Sequence, residues 1–130
     1  MNSTFLRYHL PAIVWALTIF VCSSVPGSSI PNIGIFSHDK LLHAAVFFVL
    51  AALIYRSLTA QSRWPAVARH ASLWTLAVTT FYGISDEFHQ LFVTGRNSDY
   101  RDLIADVVGA LAFLALIGAW NSWRKKRGPA

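Results

Sequence analysis

The sequence is poor in charged residues and in cysteine. Charged side chains make up only 13% of its 130 residues, whereas soluble domains average about 25%. Hydrophobic residues make up 55%, which is more apolar surface than so short a soluble fold can bury. The single cysteine, Cys22, excludes an internal disulfide and any site made of several cysteines. The composition therefore predicts one domain, residues 1–130, belonging to a membrane protein.

Common catalytic motifs are also missing. The sequence has no H-E-x-x-H pattern, no glycine-rich phosphate loop and no serine in a nucleophile-elbow motif. We therefore predict no metal, and the sequence leaves the cofactor unknown. The weaker alternative is a divalent cation held by His43, Glu87, Asp102 and Asp106, which offer oxygen and nitrogen ligands. The net charge of +5 does not indicate nucleic acid, because four of the eleven cations follow the last apolar segment.

Four apolar segments predict membrane helices, at residues 10–25, 41–58, 71–91 and 103–120. The apolar part of the third, 71–84, has only 14 residues, whereas a spanning helix needs about 20. That helix must therefore continue through the polar residues that follow it. The sequence predicts an all-α fold, an integral membrane four-helix bundle.

Lysine and arginine predict the orientation of the bundle. The N-terminus, the connection between the second and third segments, and the C-terminus carry eight of the eleven cations. The other two connections carry Lys40, Arg96 and Arg101. Since cationic loops stay in the cytoplasm, both termini are expected to be cytoplasmic, with all six acidic residues towards the outside.

The acidic residues follow helical spacing. At 100° per residue, Thr79, Gly83, Asp86 and Gln90 share one face of the third helix, with Glu87 on its flank. The fourth helix carries a similar face, formed by Asp99, Asp102, Asp106 and Gly109. A charged group facing acyl chains costs at least about 2.5–3.5 kcal/mol at the bilayer centre. The polar faces are therefore expected to converge on one site that is open to the outside.

Three ordered motifs resemble those of the VanZ-like family of small bacterial membrane proteins, named for a protein associated with teicoplanin resistance. They are DKLLH at 39–43, GISDEFHQ at 83–90 and RNSDYRDLIADVVG at 96–109. Asp106 departs from the asparagine of many members, and we expect it to be protonated or paired with Arg96 or Arg101. The resemblance implies four helices in the bacterial cytoplasmic (inner) membrane and a role at the envelope, but no particular reaction.

The motifs and their spacing indicate which residues form the site. The candidate catalytic residues are His43, Glu87 and Asp39, because an acid four residues before an imidazole can orient it. The candidate substrate-binding residues are Lys40, Gln90, Arg96, Asp99, Asp102 and Asp106. Each assignment has a structural alternative. Glu87 can instead pair with Arg96 or Lys40 to fix helix packing, and Asp39 can simply favour a helix start.

We expect the partner to be a membrane lipid or a lipid-linked cell-wall precursor, whose headgroup is bound or modified in the polar pocket. The resemblance implies a link to glycopeptide antibiotic resistance. Whether the protein is an enzyme stays open; hydrolysis or transfer on a lipid headgroup is the expected class. The alternative is a non-catalytic membrane scaffold whose polar cluster only locks helix packing. A transporter is disfavoured because the inner halves are apolar apart from Thr75 and Thr79, and a homo-oligomer is compatible with the sequence.

Overall fold

The computed structural model of the chain describes residues 3–29 and 39–128, except for the side chain of Asp39. The predicted pairing of Asp39 with His43 therefore lies outside the described residues. These ranges contain no strand and five α-helices: α1 (Leu10–Ser23), α2 (Asp39–Ala60), α3 (Pro65–Arg69), α4 (Ala71–Gln90) and α5 (Tyr100–Lys126). The predicted all-α membrane fold is confirmed. The structure adds the short α3, which begins at a proline whose fixed φ suits a first helical turn.

The described helices present apolar surfaces to their surroundings. Three stretches are long and apolar enough to cross a membrane: Phe5–Ser23, Lys40–Ala60 and Tyr100–Lys126. With 20 residues, α4 is about 30 Å long, which also matches the hydrocarbon core of a bilayer. Phe81 and Phe88, on the face of α4 opposite its polar residues, are 75% and 62% exposed. The lengths of the helices and their exposed apolar side chains are therefore those of a membrane protein.

Contacts between side chains define the directions of the helices. Lys40 contacts Asp102 and His43 contacts Asp106, so α2 and α5 run parallel, side by side. Both begin at the end of the bundle where α1 and α4 terminate. We call this the polar end, because the acidic residues of α4 and α5 lie there. The opposite end, where α5 finishes in Arg124, Lys125 and Lys126, is the basic end.

The backbones of α2 and α5 lie close together. Gly109 lies against the backbone of Ala44, and a Cβ on Gly109 would come within 2.0 Å of the Ala44 carbonyl oxygen. Ala51 and Ala110 are fully buried. Small residues let helix backbones approach closely in a membrane, where packing rather than water drives association. This contact holds the starts of α2 and α5 together, and with them the residues of the polar end.

The position of α1 depends on a smaller set of contacts. The hydrophobic core consists of Ile19, Phe47 and Leu50, and partly buried side chains of α1, α2 and α4 pack around it. The indole Nε1 of Trp15 donates a hydrogen bond to the carbonyl of Val46 at 3.1 Å. Near the basic end, His9 Nδ1 lies 2.6 Å from Ser57 Oγ. The first helix is therefore joined to α2 by a few specific bonds beside an apolar contact.

We predict that Gly109→Ala lowers the free energy of unfolding by about 1–3 kcal/mol, the usual cost of forcing extra atoms into a packed contact. The matched control is Gly118→Ala on the same helix, where an added Cβ meets no atom within 4 Å. Denaturant titration of both purified variants in detergent measures the difference. Equal stability of Gly109→Ala and the wild type would show that α2 and α5 do not pack this closely.

Candidate functional site

The polar face of α4 is turned into the bundle. Asp86, Glu87 and Gln90 are all buried, with 5–6% of their surfaces exposed. Glu87 Oε2 accepts hydrogen bonds from the backbone N–H of Asp99 at 2.9 Å and from the hydroxyl of Ser98 at 3.0 Å. These two bonds tie the end of α4 to the segment that leads into α5. The expected partners of Glu87, Arg96 and Lys40, are not the ones that bond it here.

The start of α5 binds the start of α2 through charge. The Lys40 ammonium forms ion pairs with Asp102 and, at 3.2 Å, with Asp99. Asp99 is also the N-cap of α5, since its Oδ1 accepts the backbone N–H of Arg101 at 2.9 Å. That N–H bond, supported by the Lys40 ammonium, holds the pKa of Asp99 below its usual value. Both acids also lie where the positive end of the α5 dipole favours negative charge.

His43 reaches the buried acid of α5. Its Nδ1 lies 3.0 Å from Oδ1 of Asp106, which is 1% exposed. The predicted pairing of Asp106 with Arg96 or Arg101 is therefore corrected, because the histidine of α2 takes this place. The arrangement orients the imidazole by a carboxylate of α5. The predicted pairing of His43 with Asp39 is not tested, because the side chain of Asp39 lies outside the described residues. His43 and Asp106 join α2 and α5 one turn below the Lys40 pairs.

Arg96 contacts the end of α1. Its Nη2 donates to the carbonyl of Cys22 at 3.1 Å and its Nε to the carbonyl of Val25 at 3.2 Å. A cation is favourable at a helix C-terminus, where backbone carbonyls lack partners. The backbone N–H of Gly27 also donates to the carbonyl of Thr94 at 3.1 Å. The α4–α5 connection thus holds the end of α1, a role that the sequence did not indicate.

A cavity of about 430 Å³ lies between α1, α2 and α4 at this end. Its volume falls in the range of small-molecule sites. Half of the fourteen described residues that line it are apolar, and the other half are polar. The described residues of the lining are Trp15, Thr18, Ile19, Cys22, Ser23, Val25, Ser29, Leu42, His43, Val46, Phe47, Asp86, Gln90 and Arg96.

The cavity separates the predicted site residues into two groups. His43, Gln90 and Arg96 line it, and Asp86 lines it as well. The predicted residues that are absent from the described lining are Lys40, Glu87, Asp99, Asp102 and Asp106. They form the ion pairs and hydrogen bonds on the α5 side. The structure therefore brings the polar faces of three helices together, and the cavity lies against the side of the cluster formed by Asp86, Gln90 and His43.

Sequence reasoning missed two functional contacts. Ser98 donates to Glu87, and its position within RNSD, next to the helix cap, is the only signal that could have indicated this. His89 lies 2.9 Å from Ser24 Oγ, and its ring is tilted by 31° to that of Phe20, with ring centroids 4.5 Å apart. The first contact depends on the course of the α4–α5 connection and the second on how α1 and α4 are arranged, and the sequence pattern encodes neither.

Three buried carboxylates have an unused acceptor. Asp86 Oδ1, Glu87 Oε1 and Asp106 Oδ2 have no hydrogen-bond partner in the described parts of the chain. Buried polar atoms are normally paired, so such atoms require an explanation. No group of three or more His, Cys, Asp or Glu side chains within residues 3–29 and 39–128 is arranged to hold a metal ion. Donors from a ligand or from water would satisfy these atoms, and protonation of the carboxyl group, as expected for Asp106, would remove the need for them.

Comparison with known proteins agrees with the motifs. Residues 4–121 match the VanZ/LLP1 family. An uncharacterized protein of the fission yeast Schizosaccharomyces pombe is 33% identical over 79 residues, which are 61% of this chain and 46% of the yeast protein. The chain thus matches less than half of that relative's length, and no solved structure matches it. Since the family match extends over nearly the whole chain, the resemblance seen in the motifs is confirmed, and the chain belongs to the VanZ/LLP1 family.

Proposed function

We propose that the protein binds the headgroup of an envelope lipid or of a lipid-linked cell-wall precursor in the cavity between α1, α2 and α4. The observation that carries this proposal is the division of the cavity wall. Ile19, Val46 and Phe47 give it an apolar part, whereas Asp86 and Arg96 give it a polar part. Such a wall is complementary to an amphiphile, with its head at the polar end and its chain against the apolar side.

The surroundings of the cavity favour a ligand that comes from the bilayer. Val14, Leu17 and Val21 on α1 are 51%, 58% and 63% exposed, and in a membrane these side chains face acyl chains. Thr18 and Cys22, which line the cavity, are also exposed. A lipid therefore reaches the cavity along α1 without leaving the membrane, whereas a water-soluble ligand has to enter from the polar end.

His43 is the residue best placed for chemistry on a bound headgroup. It lines the cavity, and Asp106 fixes its ring through Nδ1. An imidazole oriented in this way is suited to proton transfer in hydrolysis or transfer reactions. Glu87, the other candidate acid or base, is absent from the described lining. Glycopeptide resistance would follow if the bound lipid were a cell-wall precursor or controlled the supply of one.

Lipid retention tests the site. We expect Thr18→Trp to fill part of the cavity and to reduce the lipid that copurifies with the protein about tenfold, equivalent to ~1.4 kcal/mol of binding free energy. Native mass spectrometry of protein in mild detergent measures retention. The control is Leu17→Trp, since Leu17 is exposed on the same helix outside the described lining. Equal retention by both variants and the wild type would contradict the proposed site.

We further propose that the protein lies in the bacterial cytoplasmic membrane with its polar end outside and both termini in the cytoplasm. The basic residues at the opposite end support this orientation. In a Cys22→Ser background, Asn97→Cys is expected to react with a membrane-impermeant maleimide on intact cells, whereas Lys126→Cys is expected to react only after lysis. Both positions are exposed. The reverse labelling pattern would contradict the orientation.

A scaffold without a ligand is the second candidate, favoured by the bonds that Glu87 makes within the protein. Removing Glu87 leaves the Asp99 N–H and the Ser98 hydroxyl without their acceptor. We therefore expect Glu87→Ala to lower the free energy of unfolding by about 1–3 kcal/mol, with the lipid affinity of the remaining folded protein unchanged. Ser85→Ala, an exposed neighbour, is the control. Normal stability combined with lost lipid binding would show that Glu87 belongs to the binding site.

A further inference from the structure

The charges of the polar end are unevenly matched. Lys40 pairs with Asp99 and Asp102, and the guanidinium of Arg101 lies over the Tyr100 ring, 5.9 Å from its centroid. Besides Asp39, whose side chain is not described, the remaining acids are Asp86, Glu87 and Asp106. Of these, only Asp106 has a basic partner within 4.0 Å among the described residues, namely His43. The α4 side of the cluster therefore carries carboxylates that no cation of the described chain neutralises.

Asp86 is the acid of this group that lines the cavity. It is 5% exposed, and its Oδ2 accepts a hydrogen bond from Gln90 Nε2 at 3.0 Å. Its Oδ1 has no partner in the described residues. A buried carboxylate oxygen without a donor is unfavourable unless a ligand or water supplies one. A cationic donor suits it best, because it provides both hydrogen bonds and the opposite charge.

Arg96 lines the same cavity. Two of its N–H groups are directed to the carbonyls of Cys22 and Val25. A guanidinium has five N–H donors in total, so three more are available to an anion beside the end of α1. The polar wall of the cavity thus presents one cation and one anion. A simple phosphate headgroup satisfies Arg96 but adds negative charge near Asp86, and a simple amine satisfies only Asp86.

We propose that the ligand is an aminophospholipid, with its primary ammonium bound by Asp86 and its phosphodiester bound by Arg96. The proposal rests on the lipid-binding function proposed above and specifies its headgroup. The ammonium supplies three N–H donors, enough for the carboxylate of Asp86 and for the side-chain oxygen of Gln90, both of which belong to residues that line the cavity. The acyl chains lie along the apolar wall at Ile19 and Phe47. Methylation of the nitrogen removes these donors while keeping the positive charge.

Cys22 provides the readout, because it is the only cysteine and lines the cavity. Its alkylation by a fluorescent maleimide is followed on the purified full chain in detergent. The additions are dihexanoyl phosphatidylethanolamine, phosphatidylcholine or phosphatidylglycerol. We expect the ethanolamine lipid to protect Cys22 at a concentration about tenfold lower than the other two. Soluble phosphoethanolamine, which lacks acyl chains, is expected to protect at much higher concentration.

The variant Asp86→Asn keeps the shape of the side chain and an acceptor for Gln90 but removes the charge. We expect it to bring the three lipids within about twofold of one another, whereas Ser85→Ala, an exposed residue of the same helix, keeps the wild-type preference. If Asp86→Asn does not fold, the comparison of lipids on the wild type still decides the matter.

The possible results of the protection experiment distinguish the assignment of the ammonium from the lipid-binding function. Equal protection of the wild type by all three lipids would overturn the assignment of the ammonium and leave the lipid-binding function standing. Protection by soluble phosphoethanolamine as strong as that by the lipid would overturn the lipid as its source. An absence of protection by any lipid would overturn both this proposal and the function on which it rests.

Discussion

Carboxylates placed inside a membrane protein must find partners within the protein, because acyl chains offer none. This constraint explains the bonds that join the helices at the polar end of the bundle. Lys40 meets Asp102, His43 meets Asp106, and Glu87 accepts the N–H of Asp99. Each bond joins two different helices or a helix and a connection. The acidic residues therefore help to hold these helix ends together, beside the close contact at Gly109 and the apolar core around Ile19.

The charges at the polar end match the dipoles of the helices that begin and end there. The starts of α2 and α5 lie beside carboxylates, and the end of α1 receives the guanidinium of Arg96, as the helix dipoles favour. The α2–α5 side is closely packed through Gly109, whereas α1 meets the bundle through a small core and separate hydrogen bonds. The cavity lies on the α1 side, where the packing is looser. The closely packed α2–α5 side and the cavity on the α1 side thus share one polar cluster. The proposed ligand binding depends on this arrangement.

The polar faces of the helices could be predicted from the spacing of residues in the sequence. The faces of α4 and α5 were identified correctly because helical periodicity fixes which residues point the same way; Phe81 and Phe88 are exposed while Asp86 and Gln90 are buried. The partners were not predictable. Asp106 pairs with His43, and Arg96 binds the α1 carbonyls. The partner that each side chain contacts depends on the rotation of its helix and on the course of the connections. The roles of the site residues, and the side-chain contacts of Asp39, remain predictions.

The direct contact of polar residues from separate membrane helices is simplest to test at His43 and Asp106. Solid-state NMR on the protein in lipid bilayers measures the distance from the His43 Nδ1 nitrogen to the Asp106 carboxyl carbon by dipolar recoupling. We expect a separation of about 4 Å, because an oxygen of that carboxylate lies 3.0 Å from the nitrogen. A protein that is folded in the bilayer but shows no such coupling would show that these helices do not meet through their polar residues.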